Sequence, residues 1–133
     1  MRSTRCARAP RGEQGSAVVD FVLVLVVLIP LFLGILQLAL VLHVRNTLTA
    51  AASDGARYAA TVDRGPADGA AHTRAQISGA LSDRFAREVT ARQASLDGAA
   101  AVEVTVVAEV PALGLWGPAV RLQVQGHATE ESR

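Results

Sequence analysis

The sequence predicts an α+β protein: a long N-terminal transmembrane and stalk α-helix, followed by a small extracytoplasmic domain of one amphipathic helix and an antiparallel β-hairpin. Three observations predict this class. An apolar run occupies residues 21–42, apolar residues recur at helical spacing after residue 73, and two segments near the C-terminus alternate apolar with polar residues. Since the chain has 133 residues, it has room for one small domain beside the long helix.

The apolar run is long enough to span a membrane. Its 22 residues are almost all aliphatic, with Pro30, Gly34 and Gln37 as interruptions. At about 1.5 Å per residue the run forms roughly 33 Å of helix, and the hydrocarbon core of a bilayer is roughly 30 Å thick. Pro30 either kinks this helix or is simply tolerated in it. Gln37 is interpreted as a polar residue at a helix contact, or as one tolerated in the outer third of the bilayer.

The arginines around the run predict its orientation. Four lie in residues 1–15 against one acid, Glu13, whereas the twenty residues after the run carry two arginines against Asp54. The four are Arg2, Arg5, Arg8 and Arg11. Because cytoplasmic flanks carry the excess of positive charge, we expect a cytoplasmic N-terminus and an outer C-terminal part. The lone cysteine, Cys6, then lies on the reducing side, and the outer part has no cysteine for a disulfide.

An acid stands at the start of the apolar run. Asp20 directly precedes Phe21 and follows the Gly15-Ser16 junction by a few residues. A charged side chain at the bilayer centre costs about 2.5–3.5 kcal/mol on insertion scales, and such residues are usually paired. One interpretation keeps Asp20 at the interface in the first helical turn, with Ser16 as the helix cap. In the other, the leader is removed after Gly15 and the amino terminus of a neighbouring Ser16 pairs with the carboxylate. Spacing alone leaves both open.

Two stretches of the chain resemble a known family. "GSAVVDFVLVLVVLIPLFLGILQLALVL" resembles the start of the TadE-like minor pilins or pseudopilins of the tight adherence (Tad) type IV pilus system. The shared pattern is a basic leader ending in Gly, an acid at the fifth mature position, a long apolar run and a proline, here Pro30. "LTAAASDGARYAA", residues 48–60, is similar to an Ala-rich stretch of that family, and the C-terminal pair of strands is similar as well. Asp20 departs from the Glu that the family usually has.

The resemblance implies a processed structural subunit. It implies cleavage by a prepilin peptidase between Gly15 and Ser16, and a role in assembly for the Asp20 carboxylate. The implied partners are the membrane, prepilin peptidase, other pilin-like subunits and Tad assembly proteins. The implied location is the cell membrane, as a single-pass protein that is also incorporated in a pilus, and the implied processes are secretion and cell adhesion.

The predicted domains follow the chain in order. A basic leader at residues 1–15 is removed, a transmembrane helix covers 16–44, a helical stalk covers 45–62, and an extracytoplasmic head covers 63–133. Six residues of the long helix are predicted to pack against other helices: Phe21, Pro30, Gly34, Ala51, Gly55 and Ala59. The last three are small and recur every fourth position, which permits close helix approach. The same Ala-rich run is also a good helix former, so a packed filament core and a plain helix both stay open.

Two kinds of periodicity predict the structure of the head. A break at residues 64–69 precedes an amphipathic helix over 73–92. Its apolar residues at steps of four are Ile77, Leu81, Phe85 and Val89. Two strands over 101–110 and 119–129 put apolar residues on one face, and Trp116 in the connection "PALGLWGP" is interpreted as folding over the sheet edge. Since a two-stranded ribbon is marginal, its edge either binds a partner strand or stays single because it is short and charged.

Catalysis is not expected. The three histidines, His43, His72 and His127, stand at no metal-ligand spacing, and neither a G-x-S-x-G elbow nor a phosphate-binding glycine loop occurs. A net charge of +1 without a basic patch gives no indication of nucleic acid binding. We therefore expect no cofactor, no metal and no small-molecule substrate.

Two hypotheses for the function remain. The first is a processed pilin-like subunit. The second is an uncleaved, single-pass, signal-anchored envelope protein whose outer domain binds a partner protein. The fate of residues 1–15 discriminates between them.

Overall fold

The computed structural model describes residues 13–113 and 118–130, and their side chains from Gly15 onward. The elements are α1 (Glu13–Ala60), α2 (Pro66–Ala80), a 3₁₀ turn (Asp83–Ala86), β1 (Glu88–Leu96), β2 (Ala99–Val110) and β3 (Val120–Thr129). The predictions for the four leader arginines, Cys6 and Trp116 fall outside the described residues. The predicted α+β class is confirmed, with a three-stranded sheet where the sequence predicts a hairpin.

The first part of α1 has an exposed apolar surface. Nearly all side chains of residues 18–36 are exposed, and most of them are Val, Leu, Ile or Phe. By length and composition, α1 is the one helix within 13–113 and 118–130 that could cross a membrane. Burial of such aliphatic surface away from water is favourable by about 25 cal/mol per Å². This part of α1 therefore fits lipid or another apolar surface.

The second part of α1 belongs to a compact unit, Leu36–Arg133. Four side chains at steps of four residues are buried on one face of it: Val44, Leu48, Ala52 and Ala56. That spacing keeps them on one side of a helix with 3.6 residues per turn. They share a core with Ile77 of α2 and the valines of β2. The sequence-based ranges place the change from membrane helix to stalk after residue 44, whereas the compact unit begins at Leu36.

The sheet is antiparallel and has the order β1-β2-β3. Val106 of β2 pairs with Val89 of β1 and with Val124 of β3, and all three are buried. The even-numbered residues of β2 from Val102 to Val110 are buried against the helices, which confirms the predicted alternation. The opposite face of the sheet is largely polar and exposed.

The predicted amphipathic helix over 73–92 is wrong at both ends. α2 begins earlier, at Pro66, and ends earlier, at Ala80. Proline suits the first turn of a helix because its missing N–H would have no partner there. The Asp68 carboxylate accepts a hydrogen bond from the Gly65 N–H at 2.9 Å and favours the same start. The predicted break at 64–69 is therefore too long, since residues 66–69 form the first turn of α2.

The strand that the sequence analysis does not predict, β1, begins within the last part of the expected helix and continues beyond it. Phe85 and Val89 are buried as predicted, but Phe85 lies in the 3₁₀ turn and Val89 in β1. Apolar residues at steps of four are compatible with one continuous helix. They are equally compatible with a helix, a turn and a strand in succession, when the side chains of all three reach the same core. Backbone pairing decides between these, because β1 pairs with β2 from Glu88 to Leu96. This pairing covers an edge of β2 that a hairpin would leave open.

Candidate functional site

The predicted cleavage junction lies at the start of α1. The helix begins at Glu13, so the bond between Gly15 and Ser16 lies in its first turn. Both residues are exposed, and no described heavy atom lies within 4 Å of the position that a Cβ on Gly15 would take. Asp20 is also exposed, at the edge of the apolar surface. The bond and the carboxylate are thus open to other molecules.

Three of the predicted packing residues lie on the exposed apolar part of α1. Phe21, Pro30 and Gly34 are all exposed, and α1 continues through Pro30 as one helix. A Cβ on Gly34 would meet no described atom within 4 Å. These positions are available to lipid or to a neighbouring subunit, and their role in packing stays a prediction.

The other three packing residues form the face of α1 that α2 covers. Ala51, Gly55 and Ala59 are all buried. A Cβ on Gly55 would overlap the Thr73 hydroxyl oxygen and stand 2.9 Å from the Gly69 carbonyl oxygen. A Cβ on Gly69 would in turn stand 2.6 Å from the Ala59 Cβ. Close helix approach occurs at this face, and the helix that approaches is α2 of the same chain.

A buried threonine completes this helix crossing. The Thr73 hydroxyl donates to the Gly69 carbonyl at 2.8 Å, and the Ala51 carbonyl lies within reach at 3.3 Å. Its burial is therefore not penalised, since a buried polar group is costly chiefly when it has no partner. The sequence prediction misses Thr73 and Gly69. Their signal is the four-residue spacing that places them on one face of α2.

A polar cluster links α1 to α2 at the surface of the head. His72 Nε2 lies 2.8 Å from Asp54 Oδ2, and the Gln76 amide donates to the same oxygen. The Tyr58 ring stacks on the His72 ring with centroids 4.3 Å apart, and the Arg64 guanidinium lies 3.8 Å from the Tyr58 centroid. The predicted helix starts after His72, so the sequence prediction misses this link.

The electrostatics of the cluster favour an ionised carboxylate. The pKa of Asp54 is lowered, chiefly by the hydrogen bond from His72; burial, the next largest effect, raises it, and the hydrogen bond from Gln76 lowers it further. Within the described part of the chain, no three His, Cys, Asp or Glu side chains stand close enough together to hold a metal ion. The cluster is thus a set of hydrogen bonds that hold α2 on α1.

We expect Asp54→Asn to lower the stability of the head slightly, in a pH-dependent way. Because the Asp54 side chain is 51% exposed, the loss at neutral pH should be about 0.5 kcal/mol or less, as for other exposed ion pairs. A lowered folded-state pKa gives stability that is full above the unfolded value of 3.8 and is lost as the pH falls below it. Urea unfolding midpoints of the full chain in detergent micelles, measured at pH 7 and below pH 3.8, check this.

The matched control for this prediction is Asp97→Asn. It makes the same chemical change in the exposed β1–β2 turn, where the positive φ of 50° is compatible with Asn. A difference between wild type and Asp54→Asn that persists unchanged at the lowest pH would contradict the electrostatic explanation.

A glutamine of α1 holds the connection between β2 and β3. Gln37 Nε2 donates to the Pro111 carbonyl at 3.3 Å, and Gln37 Oε1 accepts from the Leu113 N–H at 2.7 Å. Gln37 therefore makes a contact inside the compact unit of the chain, in which both partners also lie. Of its two interpretations, the polar contact residue agrees with the structure, but its partner is a loop and not a helix.

The start of the chain matches a known family. Residues 15–57 match the model of the family described as TadE-like protein. Comparisons with curated proteins and with solved structures gave no match. The match begins at Gly15, includes Asp20 and Pro30, and ends in the part of α1 that α2 covers. The resemblance predicted from the sequence is thereby confirmed for residues 15–57, where the chain carries a TadE-like segment, and the similarity of the C-terminal strands stays a prediction.

Proposed function

We propose that this protein is a pilin-like structural subunit, a pseudopilin or minor pilin, of a Tad-type pilus assembly or secretion apparatus. One observation carries the proposal: the TadE-like match begins at Gly15, where the Gly15-Ser16 bond and Asp20 precede an exposed apolar helix. A prepilin peptidase that cuts at this bond leaves the whole apolar part of α1 on the mature protein. That part then serves as membrane anchor before assembly and as contact surface within the assembly.

The role proposed for Asp20 follows from its place on the helix. After cleavage, Ser16 carries a free amino terminus, and Asp20 lies about one helical turn further on. When neighbouring subunits are offset along an assembly axis, the amine of one can pair with the carboxylate of the next. In an apolar bundle the effective dielectric constant is low, so this attraction is stronger than it would be in water.

The proposed orientation rests on charge. The arginine-rich leader stays in the cytoplasm, the apolar part of α1 crosses the membrane, and the unit from Leu36 onward lies outside. The surface of α1 that is open for assembly is then its apolar first part, because α2 covers the face of Ala51, Gly55 and Ala59. Contacts with other pilin-like subunits and with Tad assembly proteins are proposed for that open surface, for adhesion or secretion.

The experiment that tests the proposal follows the fate of the leader. The full chain is expressed with and without a prepilin peptidase of a Tad system, extracted from membranes, and analysed by intact mass and N-terminal sequencing. We expect a mature protein that starts at Ser16 only when the peptidase is present. Gly15→Leu should abolish this cleavage, because a bulky residue replaces Gly at the bond that is cut. Gly34→Leu is the matched control, since Gly34 lies on the same exposed helix surface, and its cleavage should match wild type.

Retention of the leader in the presence of an active peptidase would contradict the proposal. Asp20 would then be an interfacial residue of the first helical turn, and the chain an uncleaved signal-anchored envelope protein whose outer domain binds a partner protein. Cleavage that Gly15→Leu leaves intact would point to a different peptidase.

A further inference from the structure

The connection between β2 and β3 is held at a defined height on α1. The side-chain amide of Gln37 forms two hydrogen bonds with the backbone of this connection: it donates to the Pro111 carbonyl and accepts from the Leu113 N–H. Val110 pairs with Val120, so the described parts of the connection on either side lie at the same end of the sheet. The height of Gln37 along α1 therefore sets the height of this end of the head.

That height coincides with the outer boundary of a bilayer that α1 spans. Gln37 lies 22 positions after Gly15 and 17 positions after Asp20, which correspond to roughly 33 Å and roughly 26 Å of helix. The hydrocarbon core is roughly 30 Å thick. If the core begins at the level of Gly15, Gln37 lies about 3 Å outside it; if the core begins at Asp20, Gln37 lies about 4 Å inside it. Both placements put Gln37 at the boundary.

The composition of the connection suits that place. The sequence from Val110 to Val120 contains no charged residue, and it is bounded by Glu109 and Arg121. Leu113 is 47% exposed and Val120 37% exposed, so apolar side chains are presented at this end of the sheet.

The backbone polarity of the connection is also low. Pro111 and Pro118 have no N–H to satisfy. Gln37 accepts the hydrogen bond of the Leu113 N–H and donates to the Pro111 carbonyl. Since lipid-exposed loops do not occur within the hydrocarbon region, a connection of this kind suits the interface at its boundary.

We propose that residues 111–113 and Val120 form a membrane contact that seats the head on the outer surface of the bilayer, with Leu113 directed into the lipid interface. The partner is thus the lipid bilayer that α1 itself spans, and the inference rests on the proposed membrane-spanning function of α1. Gln37 acts in it as a positioning residue that fixes the loop against the helix. Between Asp20 and Arg45 the sequence of α1 contains no Asp, Glu, Lys or Arg.

The test measures the depth of single nitroxide labels on the full chain. The lone cysteine is removed by Cys6→Ser, and new cysteines are placed singly at Leu113, Val120, Ile29 and Asp97. The protein is reconstituted in vesicles of phosphatidylcholine and phosphatidylglycerol, and collision rates with oxygen and with a water-soluble nickel chelate give the depth of each label. Ile29 reports on the membrane span. Asp97 is the control, because its turn lies at the far end of β2, about 37 Å from the contact for a strand of eleven steps.

We expect the labels at Leu113 and Val120 to lie within about 5 Å of the outer hydrocarbon boundary, given the position of Gln37, and the label at Asp97 to lie in water. If Ile29 lies in lipid while both Leu113 and Val120 behave like Asp97, the membrane contact is wrong and the membrane span stands. If both labels are shielded from oxygen and from nickel, the loop contacts protein, and the contact is again wrong. An Ile29 label in water would overturn the membrane span and the contact together.

Discussion

Gly126→Ala is expected to lower the free energy of unfolding of the head by about 3 kcal/mol, at the upper end of the usual range for overpacking. Gly126 lies on the inward face of β3, where α1 crosses the strand. A Cβ at this position would overlap backbone atoms of Ala52 and Ser53. Since backbone atoms cannot rotate away as a flexible side chain can, either α1 or β3 must shift. The helix and the sheet enclose the core between them, so the shift would loosen the packing around Leu48.

The measurement is urea unfolding of the full chain in detergent micelles, with the folded fraction determined by pulse proteolysis with trypsin. Gly79→Ala is the matched control, because a Cβ at Gly79 in α2 meets no described atom within 4 Å. This control should gain up to about 1 kcal/mol, since Ala is the better helix former. Equal unfolding midpoints for Gly126→Ala and wild type would contradict the close contact between Gly126 and the backbone of α1.

Leu48→Ala is expected to lower the free energy of unfolding of the head by about 3 kcal/mol, within the range of 2–5 kcal/mol for core Leu→Ala changes. Leu48 is completely buried and is among the largest buried side chains. Its removal forfeits apolar transfer free energy and leaves a cavity between α1 and the sheet. Without the folded head, the second part of α1 would expose the apolar stripe that now faces β2.

A second leucine on the same helix supplies the control. Leu38 is 60% exposed, so Leu38→Ala should change the unfolding free energy of the head by less than about 0.5 kcal/mol. Hydrogen exchange of the backbone, measured by mass spectrometry on both variants, checks the prediction independently. Comparable losses of protection in β2 for the two variants would contradict the placement of α1 in the core of the head.

Gly126→Ala and Leu48→Ala both test the packing of the head. The TadE-like match ends at residue 57, before α2 and the sheet. The head is nonetheless built on the matched helix, because residues of that helix such as Leu48 and Ala52 form one wall of its core. The packing of the head and the exposed apolar surface of α1 therefore belong to two different parts of a single helix. The apolar first part of the helix is exposed, whereas the second part packs against α2 and the sheet.

Local sequence patterns predicted much of the fold. The alternation in β2 and β3 predicted two strands with the correct faces, because a half-buried strand alternates its side chains strictly. The four-residue spacing after Ile77 predicted burial correctly at Phe85 and Val89 but assigned the wrong conformation. Such spacing reports that side chains face a core, whereas β1 forms because the edge of β2 offers it backbone partners. Strand formation depends on such neighbours far along the sequence more than helix formation does.

For the candidate site, the sequence by itself determined the apolar run, the Gly15-Ser16 junction and the spacing to Asp20, because these depend on residue types and distances along one helix. Only the tertiary structure decided that the compact unit starts at Leu36, that α2 covers the small-residue face of α1, and that Gln37 holds the β2–β3 connection. The physical reason is that hydrophobicity belongs to each side chain separately. Which surface covers that side chain depends on a partner distant in the sequence, here α2, the sheet or the loop at Leu113.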